Sequence, residues 1–282
     1  MTGVFILNKK RFIAGVSTLT LAFGMLNSIP ANAEETDKEQ FIQESTIETK
    51  QELMDTLKEV NESSEVAKLD HDDKVEIAES IFENATEKAK EGYEEKIMEE
   101  LQEGSEGLDQ EKLQETGYTS NKITLSDGSD VKFEASDVSE DDNYVLQGQS
   151  LSPYRKETKG YGSRRYTATV TFTSFGAKAG KISLANHYSV GKYGLKMRYT
   201  SKSPTESYLS VFDINSASTE VTKSTASKAG QAIKGYGDYS VKGGAGLFSG
   251  TKYFEIRSTI KLVSLNKTKK TAYVDQRYNF LD

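Results

Sequence analysis

Between residues 165 and 175 the chain alternates, with Tyr166, Ala168, Val170 and Phe172 set against Thr167, Thr169, Thr171 and Thr173. A period of two sends successive side chains to opposite faces, so this stretch can bury an apolar face only as a β-strand. Comparable runs cover residues 181–190, 195–200, 208–214, 239–241, 253–265 and 271–280, separated by Gly, Ser and Asn. Residues 267–270 are predicted to form a hairpin turn, and 220–233 suits helix or strand. Short strands so closely spaced predict an antiparallel β-sandwich or barrel over residues 151–282.

The preceding stretch has a different period. Ala78, Phe82, Ala85, Ala89, Tyr93, Ile97 and Leu101 recur three or four apart, which predicts one amphipathic helix starting at Asp72. Asp73 and Glu76 resemble a capping box, and Gly104 and Gly107 suit the C-terminal stop. A thinner stripe of Phe41, Leu53, Leu57 and Val60 predicts an earlier helix over residues 38–60. Residues 122–125 and 130–133 flank Asp127-Gly128 and predict a small hairpin. The acidic run at residues 139–143 is expected to form a solvated loop. The predicted class is α+β: an acidic helical region with a small β-hairpin, followed by the sandwich or barrel. For the acidic region the alternative is a partly disordered spacer.

Charge divides the chain at the same place. Residues 34–150 carry 35 acidic and 11 basic side chains, a net of −24, whereas residues 151–282 carry 8 and 22, a net of +14. Such asymmetry predicts two domains with different tasks. Opposite nets on one chain should attract, so the acidic half is expected to contact the basic half as a pro-region or mask.

Ahead of both lies an export signal. Lys9, Lys10 and Arg11 form a positive segment, residues 12–25 carry no charge, and Pro30 precedes Ala31-Asn32-Ala33. That order predicts a signal peptide over residues 1–33, cleaved after Ala33. The apolar stretch is shorter than the ~20 residues a membrane span needs. The chain contains no Cys, which excludes lipid anchoring through a thiol, and its last residues show no wall-sorting tail. The expected product is secreted and extracellular, and the lack of both Cys and Trp points to a Gram-positive source.

Little in the sequence points to catalysis. The two histidines, His71 and His187, have no partner at metal-ligand spacing, so no metal or cofactor is expected. A Ser-His-Asp triad would need His187, yet no Gly-x-Ser-x-Gly motif is present, and a strand histidine with a satisfied hydrogen bond is the expectation. The acids of the basic half form no motif that selects a glycosidase pair. Gly243 to Gly246 lacks the Lys-Ser/Thr of a phosphate loop, and Asp127-Gly128-Ser129-Asp130 is too sparse in acids for calcium. No enzymatic activity is expected.

What remains is a basic surface interleaved with tyrosines. Arg155, Lys156, Arg164, Arg165, Lys192, Tyr193, Arg198, Tyr199, Lys269 and Lys270 are the candidate contacts to an anionic surface. Tyrosine has an apolar body and a polar tip that suit a membrane interface, and the cations around it attract anionic lipid or wall polymer. The expected partner is an anionic bacterial membrane or cell-wall polymer, and nucleic acid is not expected.

The organisation (signal peptide, Cys-free body of this size, no enzymatic motif) is similar to that of large secreted bacteriocins of thermophilic Gram-positive bacteria. The ending Tyr278-Asn279-Phe280 also resembles the aromatic terminus of lactococcin-type β-sandwich bacteriocins. These resemblances imply a non-catalytic antibacterial protein acting on the envelope of related cells. A non-toxic structural protein of the matrix or cell wall is the alternative, and a secreted hydrolase a weaker one.

Overall fold

The computed structural model describes residues 38–106, 122–140, 154–208, 212–243 and 250–281, all within one compact unit spanning Thr36–Asp282. The predicted cleavage point after Ala33 lies outside the described residues. Three α-helices come first: α1 (Lys50–Glu62), α2 (His71–Glu83) and α3 (Glu87–Glu106). Helix α1 starts at Lys50 rather than at residue 38 because Thr49 and Glu52 form a reciprocal capping box. Its Leu53, Met54, Leu57 and Val60 are buried. Asp70, not Asp73, caps α2, accepting from the Asp73 amide at 3.0 Å.

The single helix predicted from Asp72 is broken between α2 and α3. The incoming segment docks there: the Ile47 amide donates to the Asn84 carbonyl and the Thr86 amide to the Ile47 carbonyl, each at 2.9 Å. The Asn84 side chain also donates to the Gln43 carbonyl at 2.7 Å. Backbone groups freed by the break therefore find partners. The apolar stripe from Ala78 to Leu101 stays buried across it, and Phe82 meets Tyr93 edge to face at 5.4 Å.

The strands are β1 (Lys122–Thr124), β2 (Asp130–Ser139), β3 (Tyr154–Gly160), β4 (Gly162–Ser174), β5 (Ala177–Gly191), β6 (Gly194–Ser201), β7 (Glu206–Ser207), β8 (Phe212–Lys223), β9 (Thr225–Ala226), β10 (Ala232–Gly243), β11 (Gly250–Asn266) and β12 (Thr271–Leu281). They form two open antiparallel sheets rather than a closed barrel. One has seven strands in the order β1-β2-β4-β5-β6-β9, with β7 on β5; the other has five, in the order β3-β12-β11-β10-β8. The ambiguous stretch at 220–233 resolves into the end of β8, the short β9 and the start of β10. Strand β3, which the sequence did not announce, pairs with β12 from Thr271↔Gly160 to Arg277↔Tyr154.

Phenylalanines fill the space between the sheets. Phe172 of β4 lies 5.6 Å from Phe254 of β11, and Phe133 of β2 lies 5.7 Å from Phe280 of β12. Such ring pairs contribute beyond the area they bury. A buried charge cluster also ties sheet to sheet. Asp137 of β2, with a fully buried side chain, accepts from Arg164 at 3.0 Å, from Lys159 at 2.9 Å and from the Tyr188 hydroxyl at 2.7 Å. Gln276 of β12 donates to the same carboxylate.

The hairpin assigned by sequence to the acidic half belongs to the sandwich. Strand β2 pairs with β4 continuously from Asp130↔Thr173 to Ser139↔Arg164. The predicted boundary near residue 151 therefore does not divide the described residues into two compact units. The helices share the same core, because their stripe must be covered and the β1–β2 end of the sandwich covers it. At that joint the Tyr93 hydroxyl donates to the buried Asp127 carboxylate at 2.7 Å. Asn61 donates to the Asp127 carbonyl at 2.9 Å and accepts from the Phe175 amide at 2.5 Å. Gly128, at φ +80°, turns where a Cβ would stand 3.0 Å from Asn61. Lys252 of β11 and Glu94 of α3 close the joint with a 2.8 Å ion pair.

Candidate anion-binding groove

Alternation along β11 sends Phe254, Ile256, Ile260 and Leu262 into the core and Arg257, Thr259 and Lys261 outward. The same rule on β10 turns Lys234 and Tyr236 to that outer face. Register then aligns these positions across strands. Lys234 sits opposite Thr259 and Lys223; Arg257 sits opposite Tyr236 and Asn279; Thr259 sits opposite Arg277. The outcome is a groove of about 890 Å³ on the outer face of the five-stranded sheet. Its lining holds five cations (Lys223, Lys234, Arg257, Lys261 and Arg277) against one acid, Glu220.

The cations are not equivalent. Arg277 is held by Asp275 in a two-point contact at 2.9 and 2.8 Å, and Arg257 pairs with Glu255 at 2.5 Å. Lys223, Lys234 and Lys261 have no ion-pair partner among the described residues, so no carboxylate in direct contact offsets their charge. Tyr236 forms part of the floor. Its hydroxyl donates to Glu255 at 2.8 Å, a bond that pushes the phenol up to about 12 and keeps it neutral. The Arg257 guanidinium lies 5.8 Å from the Tyr236 ring. This combination can hold phosphate or carboxylate groups in succession, with a neutral aromatic floor for the linking atoms.

None of the ten residues singled out by sequence lines this groove. The side chain of Arg155 lies outside the described residues, and Lys156 is exposed on β3. Lys192 and Tyr193 are exposed in the β5–β6 turn, the ammonium 4.8 Å from the ring centre. Lys269 and Lys270 are exposed in the β11–β12 turn. Arg164 is turned away from any surface partner, since its guanidinium is bonded to the buried Asp137. Arg165 is exposed on β4 opposite His187. Arg198 pairs with Glu140, and Tyr199 stacks on His187 at 4.1 Å. The groove's cations lie scattered along the chain, unlike those ten residues, which fall in short clusters. The alternation of Arg257, Thr259 and Lys261 with buried neighbours was the available signal, because it fixes a common face before any register is known.

The acidic helices do not line the groove either. They pack on the β1–β2 and β4–β5 turns. At the opposite end of the sandwich the Tyr161 amide donates to the Lys270 carbonyl at 3.0 Å and the Gly230 amide to the Leu262 carbonyl at 2.8 Å. Comparison of the chain with protein-family models, with curated proteins and with solved structures finds no match.

Proposed function

We propose that this protein is exported and binds an anionic polymer of the bacterial envelope, and that it acts against bacterial cells through that binding. The observation that carries the reading is the groove, where five cations face one acid and three of the cations have no ion-pair partner among the described residues. A phosphate-bearing chain laid along β10 and β11 would meet Arg257, Lys234 and Lys261 in turn. The exposed Lys192-Tyr193 and Lys269-Lys270 turns add charge and aromatic surface at one end of the same sandwich. The antibacterial role rests on the resemblance in organisation to large secreted bacteriocins. The alternative role as a non-toxic wall or matrix protein rests on the same surface chemistry.

Binding to vesicles with and without anionic lipid, and to purified wall polymer, tests the first part. Removing three unpaired lysines at ~1 kcal/mol each weakens binding to an anionic surface by roughly 100-fold. Lys223→Gln/Lys234→Gln/Lys261→Gln is therefore expected to bind that much more weakly, and wild-type binding is expected to fall as salt rises. Unchanged binding by the folded triple variant would overturn the assignment to this groove. Inhibition zones on lawns of related bacteria separate the antibacterial role from the structural one.

A further inference from the structure

On the outer face of the other sheet, three side chains from separate parts of the chain stand in one hydrogen-bonded line. His187 of β5 bonds through Nδ1 to the carboxylate of Glu140, just beyond β2. Its Nε2 lies 3.2 Å from the hydroxyl of Ser201 at the end of β6. A carboxylate only accepts, so Nδ1 carries the hydrogen and Nε2 presents its lone pair to the Ser201 hydroxyl. The Tyr199 ring stacks on the imidazole at 4.1 Å with 15° between planes and fixes its orientation. Register brings this about: His187 pairs with Tyr199, and a bulge in the β5–β6 ladder follows at once. Ser201, two residues beyond Tyr199, projects on the same face.

We infer that Ser201, His187 and Glu140 form an acyl-transfer site that hydrolyses esters of small acyl groups. A hydroxyl nucleophile, a base within hydrogen-bond reach and a carboxylate orienting that base are the parts this chemistry needs. The charge environment suits it, because burial and then the neighbouring Arg165 hold the His187 imidazole below its ordinary value, so it is neutral near pH 7. A place for substrate adjoins. A groove of about 480 Å³ on the same face is lined by Ser136, Thr167, Thr169, Lys181 and Pro204 among others. Thr167 pairs with Ala185, which pairs with Ser201, so groove and hydroxyl share one cross-strand row with Ala185 between them. Its lining of hydroxyls with Glu134, Lys178 and Lys181 suits an ester borne on a polar, sugar-sized alcohol.

In the step itself, Ser201 Oγ attacks the ester carbonyl carbon and forms a new C–O bond, while its proton passes to His187 Nε2. The bond from carbonyl carbon to the alcohol oxygen breaks, and the alcohol leaves with that proton. Water then attacks the acyl-serine with His187 again as base, releasing the carboxylic acid and restoring Ser201. Arg165, directly opposite His187 across the β4–β5 ladder, is a cation placed near the developing oxyanion. Glu140 is a positioning residue, acting through His187.

The site lies on the sheet opposite the cationic groove, so the fate of the two assignments is separable. The test treats the full mature chain with phenylmethylsulfonyl fluoride, maps the labelled peptide, and follows hydrolysis of p-nitrophenyl acetate. Label confined to Ser201 is expected, with labelling at least ~100-fold slower in His187→Gln. Glu140→Gln is expected to shift the acid limb of the pH–rate profile, which a purely structural carboxylate would not do. Circular dichroism and thermal melting identify the variants that remain folded. Failure of wild-type Ser201 to take the label, or label on other hydroxyls only, would overturn the inference. So would equal labelling in folded His187→Gln.

Discussion

Tyr93→Phe is the cleanest probe of how the helical layer is held to the sandwich. The Tyr93 ring is fully buried, so Phe leaves the packing against Phe82 intact and opens no cavity. What is lost is the hydrogen bond to the buried Asp127 carboxylate, whose other oxygen keeps the Ser129 amide at 3.0 Å and hydroxyl at 2.6 Å. A hydrogen bond to a charged group contributes ~1.5–3 kcal/mol, so the variant should lose ~2 kcal/mol at neutral pH. For a chain of this size that is ~4–8 °C in Tm. The pH dependence follows from Asp127, whose carboxyl burial holds above the ordinary carboxylate value. Its folded value exceeds its unfolded one, so the native state binds the proton more tightly. Stability from this group is then greatest at low pH and falls as pH climbs from the ordinary carboxylate value through the raised one. The Tyr93 hydroxyl stabilises the charged form and opposes that loss. The deficit of Tyr93→Phe should therefore be largest near pH 7 and shrink to ~1 kcal/mol once Asp127 is protonated, as expected of a neutral pair. Melting curves from pH 3 to pH 8 check this. A wild-type Tm at pH 7, or a deficit that widens on acidification, would refute the assignment of the joint to this bond.

Asp137→Ala should be among the most damaging single changes, costing ~3–5 kcal/mol in a denaturant titration, because it removes the one buried carboxylate that Lys159, Arg164, Tyr188 and Gln276 share. A loss below ~1 kcal/mol would show that the cluster is not the sheet-to-sheet tie described above. A protease site inserted between residues 143 and 150 should, once cut, leave two pieces that still co-elute on gel filtration. The β2–β4 ladder and Phe133 hold them together, and separation of the pieces without denaturant would favour two independent halves.

How much of the candidate sites could be read in advance depends on the distance along the chain between their parts. Lys192-Tyr193 and Lys269-Lys270 are neighbours in sequence and are exposed in turns, so local pattern sufficed to find them. Arg164 looked like its neighbour Arg165, yet alternation turns one to Asp137 and the other to solvent. Glu140, His187 and Ser201 carry no common motif. Only the pairing of β5 with β6, and the end of β2 laid beside β4, brings them into hydrogen-bond reach.

Period and punctuation in the sequence determined that the chain has helices followed by strands, which faces those elements bury, and where the Asp127-Gly128 and 267–270 turns fall. These are properties of a few adjacent residues, set by side-chain geometry and backbone sterics. Tertiary structure alone decided three things. It split the predicted long helix, because residues 43–47 offered its backbone other partners. It moved the acidic half's hairpin into the sandwich, because Phe133 had more apolar surface to gain between the sheets than in a separate acidic domain. And it gathered Lys234, Arg257, Lys261 and Arg277 into one groove, because strand register is a long-range quantity. Each strand specifies its own two faces, but which neighbour it meets, and at what offset, depends on the buried surfaces of both strands together.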